Sequence, residues 1–106
     1  MRHIVLVFDE KNPNWTGDYE FNAMFISHEL KFLNEVILPS YNVTVNDIYK
    51  LLGVHRKYPL KEDYLYGIKR GHKIVTTITT WFDQKTKTIT AMMIEFDAEP
   101  LFDKEP

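Results

Sequence analysis

The stretch KIVTTITTWF (73–82), DQKT (83–86), KTITAMMIEF (87–96) decides the fold class. Threonine and isoleucine branch at Cβ and suit an extended backbone. Two runs rich in them, on either side of a short polar segment, read as a β-hairpin. If Phe82 faces Thr88, then Ile74, Ile78, Phe82, Met92, Ile94 and Phe96 share one face and the connection is five residues long. Successive side chains alternate across a strand, so Trp81 and Phe82 cannot both enter the core. One of the two points outward unless a bulge intervenes.

The apolar face of such a hairpin has to lie on something, and the chain offers one long candidate. YEFNAMFISHELKFLNEVIL (19–38) reads as the main helix, with Asp18 or Thr16 as its N-cap and Pro39 as its stop. Its apolar positions form two adjoining rows. Phe21, Phe25, Phe32 and Val36 make one, and Ile26, Leu30, Leu33 and Ile37 the other. Together they cover an arc of roughly 200°, broader than a surface helix needs. The helix is therefore expected to pack on two sides, or to offer one side to a partner. Asn22 and Glu29 fall near the middle of the arc, where Glu29 needs a tyrosine hydroxyl or a cation as partner.

At the N-terminus, HIVLVF (3–8) reads as a buried strand, and DEKNPNWTGD (9–18) as a loop of turn-forming residues. TVNDIYKLLG (44–53) is a second, short helix, capped by Thr44 or Asn46 and ended by Gly53. Residues 54–72 look least regular. The expected fold is α+β: a single domain, 1–106, in which the first strand joins the hairpin in a three-stranded antiparallel sheet. The long helix lies across one face, and residues 97–106 form a frayed tail in which Leu101 and Phe102 are a candidate anchor. The open edge of such a sheet allows a homodimer.

The stretch TVNDIYKLLGVHRKY (44–58) also looks like the start of a helix-turn-helix. Pro59 falls where the second helix should be under way, and Tyr49 is bulky where the two helices would touch. Arg56, Lys57, Lys69 and Arg70 remain candidates for phosphate contacts. FLNEVI, VTVNDIYKLLGV and DYLYGIK, followed by a hairpin, carry a different likeness. Over residues 21–96 the chain resembles a loose group of small uncharacterised phage and mobile-element proteins of Gram-positive bacteria. The group's pattern places Trp after the Tyr-Gly pair, whereas here Ile68 follows Tyr66 and Gly67. The resemblance implies a phage-type accessory protein and brings no catalytic residue with it.

The 106 residues hold no cysteine, which excludes a disulfide scaffold, a thiolate zinc site and a cysteine nucleophile. Histidines 3, 28, 55 and 72 show no metal-ligand spacing, so neither metal nor cofactor is expected. Ser27 and Glu29 flank His28 but point about 100° away from it on a helix. Asp97 and Glu99 would share a side if the strand continued, a geometry that could hold a cation. Pro100 and the tail composition suggest an exposed end instead. No glycine-rich phosphate loop is present, and an enzyme has no positive support.

The net charge of −2 gives no global pull toward nucleic acid. It is unevenly spread. Residues 55–73 carry Arg56, Lys57, Lys61, Lys69, Arg70 and Lys73 against Glu62 and Asp63, a net of +4, and residues 95–106 carry a net of −4. The two segments are expected to lie near each other and partly neutralise. The apolar run Ile4 to Phe8 is too short for a signal segment or a membrane span, which points to the cytoplasm of the bacterial host. What remains is recognition by surface. Trp15, between Asp9-Glu10 and Asp18-Glu20, is a candidate anchor for a protein partner, or else a lid on the core edge; Trp81 shares the ambiguity. The leading expectation is a non-enzymatic accessory protein that binds a host or phage protein, for example as an inhibitor of a CRISPR nuclease. The alternatives are nucleic-acid binding through residues 55–73 and a virion or assembly role.

Overall fold

The computed structural model describes residues 1–54 and 59–102. In chain order the elements are β1 (Arg2–Asp9), α1 (Tyr19–Phe32) continued by a π-turn (Leu33–Ile37), β2 (Val43–Thr44), α2 (Val45–Leu51), α3 (Glu62–Leu65), β3 (Tyr66–Ile68), β4 (Thr77–Asp83) and β5 (Thr88–Pro100). The fold is α+β, built on an antiparallel sheet and one long helix.

The sheet has five strands, two more than the three expected from the sequence. β5 is its spine. β1 pairs with β5 along its length, from Arg2↔Ala98 to Asp9↔Ala91. On the other side β4 pairs with the first half of β5, and β3 with its last residues, Tyr66↔Pro100 and Gly67↔Glu99. β2 pairs in turn with β3. At two and three residues, β2 and β3 are too short to show an alternating pattern, which is why the sequence hides them. Gly67 makes that corner possible. A Cβ there would overlap the Val43 carbonyl oxygen and stand 2.8 Å from the Thr44 Cα. β5 also runs on through Pro100, past the point where the sequence suggests a tail. Leu101 is buried and donates its amide to the Leu65 carbonyl at 3.0 Å, whereas Phe102 is exposed.

The hairpin forms, with a register other than the one expected. Asp83 pairs with Thr88 and Phe82 with Ile89, leaving Gln84–Lys87 as the loop, where Lys87 takes a positive φ of 59°. Between Trp81↔Ala91 and Phe82↔Ile89 the ladder slips by one residue, and the extra residue, Thr90, is on β5. The bulge resolves the Trp81–Phe82 conflict only in part. Both side chains are about half exposed, at 48% and 50%. Among the described residues β4 pairs only with β5, and Ile78 and Phe82 of its inward row stay 41% and 50% exposed. Ile74, Met92, Ile94 and Phe96 are buried as expected.

β1 is not buried on both faces. Ile4, Leu6 and Phe8 enter the core, and Val5 and Val7 face outward. Of the two apolar rows of the long helix, one is in the core: Ile26, Leu30 and Leu33 are buried with Met92, Ile94 and Phe96. The π-turn closes with Leu38 N–H donating to the Leu33 carbonyl at 2.9 Å. The extra residue in that turn brings Leu38, fully buried, beneath the sheet beside Leu33.

Asparagines pin the irregular parts. Asn12 donates to the Leu52 carbonyl at 2.8 Å and accepts from the Asn14 amide, tying the first loop to the end of α2. Asn22, buried, accepts from the Thr16 amide at 2.8 Å and donates to the Thr16 carbonyl at 3.0 Å. Asn34 treats Ile74 the same way, accepting from its amide and donating to its carbonyl. In each case the side chain stands in for a missing backbone partner. Asp18 caps α1, accepting from the Glu20 amide at 2.8 Å. Thr44 and Asp47 form a capping box on α2, and Gly53, at φ 75°, ends it.

Candidate partner-binding surfaces

The residues singled out in the sequence fall at two ends of β5. Asp9 pairs with Ala91, which pairs with Trp81, so these three form one row across the outer face of the sheet. Glu10 and Trp15 lie beside that row, where they line a cleft of about 570 Å3 with Tyr19, Phe82 and Ile89. Trp15 is a lid more than a free anchor. It is half-buried and tilts against Phe8 at 5.4 Å between ring centres, and Phe25 stacks on the same Phe8 at 5.6 Å. Trp81 is the exposed tryptophan of the two. Lys69 and Arg70 lie at the far end of β5, about 25 Å away along the strand. Arg56 and Lys57 lie outside the described residues.

Lys69 and Arg70 do not stand on a clean basic patch. The acidic end of β5 reaches Lys69 through Glu99, whereas the Arg70 amide donates to Asn42. His72 Nδ1 is 2.8 Å from Glu99 Oε2. Burial alone would raise the Glu99 pKa. The hydrogen bond from His72, the Lys69 backbone amide and the neighbouring positive charges outweigh it and hold the carboxyl below its usual range. On the same outer face His3 meets Asp97 at 3.0 Å and Glu95 at 2.9 Å. Those two hydrogen bonds, Asp97 first, raise the His3 pKa above 6.5. Glu95, Asp97 and Glu99 thus line one side of a strand that does continue, and histidines are their partners. Among the described residues no cluster of His, Asp and Glu is arranged to hold a metal ion. Glu29 is half-buried, and among the described residues no tyrosine hydroxyl or cation meets it.

The surface that sequence reasoning only half located is the second apolar row of the long helix. Phe21, Met24, Phe32 and Val36 are 60%, 64%, 40% and 57% exposed. At 100° per residue they occupy a band of about 120° that also contains His28, Glu35 and Phe25, the last of which stacks on Phe8. A helix packed on one side would place mostly polar residues there, and here only His28 and Glu35 are polar. A shallow groove of about 210 Å3 crosses the band between His28, Lys31, Phe32, Glu35 and Val36. The breadth of the apolar arc was the signal; which half of it would be covered was not readable.

The segment after α2 contains no recognition helix among the described residues. α3 is four residues long and runs directly into β3. No described helix is long and apolar enough to cross a membrane. Comparison with known proteins returned no matching family model, no matching curated protein and no matching solved structure.

Proposed function

We propose that this chain is a small non-enzymatic binding protein of the phage accessory type, acting in the bacterial cytoplasm on a host or phage protein. Inhibition of a bacterial defence system, such as a CRISPR nuclease, is its most concrete form. The observation that carries the reading is the exposed band Phe21–Met24–Phe32–Val36 on a helix whose other side is fully used in the core. Large apolar side chains clustered on one exposed helix face are the usual means by which a helix engages a protein groove. His28 and Glu35 within the band and Lys31 at its margin would supply polar contacts.

Affinity purification of the tagged chain from a Gram-positive host lysate, with nuclease treatment, tests this. A stoichiometric protein that survives nuclease and is lost from the Met24→Glu/Val36→Glu variant is expected. Both side chains are exposed, so the variant should keep its thermal transition. Recovery of nucleic acid alone would overturn the proposal in favour of the segment 55–73. Retention of the protein partner by the variant would remove the helix band from the interface.

A further inference from the structure

We propose that β4 is a self-pairing edge: two copies of this chain join antiparallel through Thr77–Asp83, about a two-fold axis at Thr80, so that the sheet continues from one copy into the next. This surface is separate from the helix band, and either proposal can fail alone.

Three observations lead there. First, β4 is open. Every residue from Thr77 to Phe82 is exposed, and among the described residues the strand pairs only with β5. Secondly, nothing blunts it. Edge strands usually carry a lysine, a proline, an inward charge or a bulge that spoils pairing. Thr77–Phe82 holds no charge and no proline, and the extra residue of the bulge, Thr90, belongs to β5. Thirdly, the free edge presents the right groups. The Trp81 carbonyl turns toward β5, where it accepts from Thr90 Oγ1 at 3.4 Å. Alternate residues of a strand direct their amides and carbonyls to opposite edges, so Ile78, Thr80 and Phe82 offer theirs outward.

The side chains decide for a second copy over a foreign strand. Read against itself around Thr80, the strand sets Ile78 opposite Phe82, Thr79 opposite Trp81, and Thr80 opposite its own copy. Ile78 and Phe82 are two half-exposed apolar side chains of the strand, at 41% and 50%. Aromatic against β-branched and threonine against threonine are favourable cross-strand pairs, and no like charges meet. A seven-residue ladder covers less area than a tight dimer needs, so the association is expected in the micromolar range, on the order of 10–100 μM.

Sedimentation of the full chain between about 5 and 500 μM should show a concentration-dependent dimer. Thr80→Lys puts two ammonium groups face to face on the axis and should weaken dimerisation about tenfold or more, with the thermal transition at low concentration unchanged. Ile78→Lys should do likewise. Adding Phe82→Glu should restore the dimer, because each new lysine then faces a glutamate of the other copy. The chain has no cysteine, so Thr80→Cys introduces a single thiol. Hydrogen-bonded strand partners stand about 5.5 Å apart at Cα, within disulfide reach. Copper-phenanthroline should therefore link this variant rapidly, and Val75→Cys slowly. A monomer at every concentration, a dimer indifferent to Thr80→Lys, or equal linking of the two cysteine variants would overturn the proposal.

Discussion

β5 is paired with β1 along one side from Ala91 to Ala98, but the two halves of its other side differ. Its last residues meet β3, which meets β2, and both are held close by Gly67. Arg2 lies over the Tyr66 ring at 5.6 Å, Leu101 is buried, and His72 reaches Glu99. The first half of β5 meets β4, a longer strand with more isoleucine, threonine and aromatic residues, and that strand is exposed along almost its whole length. The end with the weaker strand signal is the better covered one. Composition sets whether a segment is extended. Burial is set by what packs against it, and β4 stays exposed from Thr77 to Phe82 whereas Gly67 and Ile68 of β3 are buried.

Gly67→Ala brings a methyl into the Val43 backbone, and backbone cannot swing aside as a side chain can. The expected loss exceeds about 4 kcal/mol. A soluble variant with a normal thermal transition would show that the corner is less tight than described. A paired substitution separates the buried and exposed members of one cross-strand pair. Ile94→Ala, at a fully buried position of β5, should cost about 2–5 kcal/mol in urea unfolding. Ile78→Ala, opposite it on β4, should cost less than about 1 kcal/mol at low protein concentration. Equal costs would mean that β4 is as well packed as β5.

Removing the capping box is a smaller test. Thr44→Ala takes away the acceptor for the Asp47 amide and should cost about 1 kcal/mol. No change in stability would place the anchorage of α2 elsewhere, in Asn12 or the core. The smallest expected effect is on pH. The His3 pKa is raised in the folded chain, so its pairing with Asp97 and Glu95 is complete below pH 6.5 and is lost as pH rises through the raised value. The Glu99 pKa is lowered from 4.5, so its contribution is present above that pH and is lost as pH falls through the lowered value. Melting temperature should therefore decline gently as pH rises above 6.5, and His3→Gln should flatten that decline. A slope unchanged in the variant would assign it to another group.

Several local features were legible because they depend on neighbours in the chain. Pro39 stops the long helix, Thr44 caps α2, Gly53 ends it, and the Thr/Ile runs make a hairpin. The opposed charges of 55–73 and 95–106 were legible as segments only, and the contact of Glu99 with Lys69 and His72 was not readable from them. The site was legible only in fragments. Asp9, Glu10, Trp15 and Trp81 do gather at one end, but Trp15 is spent on Phe8. The exposed pair Ile78–Phe82 was assigned to the core by alternation alone. Alternation gives two faces and carries no information about which face has a floor.

By itself the sequence determined the α+β class, the order of the main elements and an apolar arc on the long helix too wide for one interface. These follow from periodicity, caps and breakers, which act over a few residues. Tertiary structure alone decided that β5 would be the spine, that two short strands would join its far end, and which half of the arc would stay in solvent. Those outcomes depend on long-range pairing and on the length of one element relative to another. Asn12, Asn22 and Asn34 make the same point, since an asparagine in a loop or helix is unremarkable until a distant backbone group arrives to meet it.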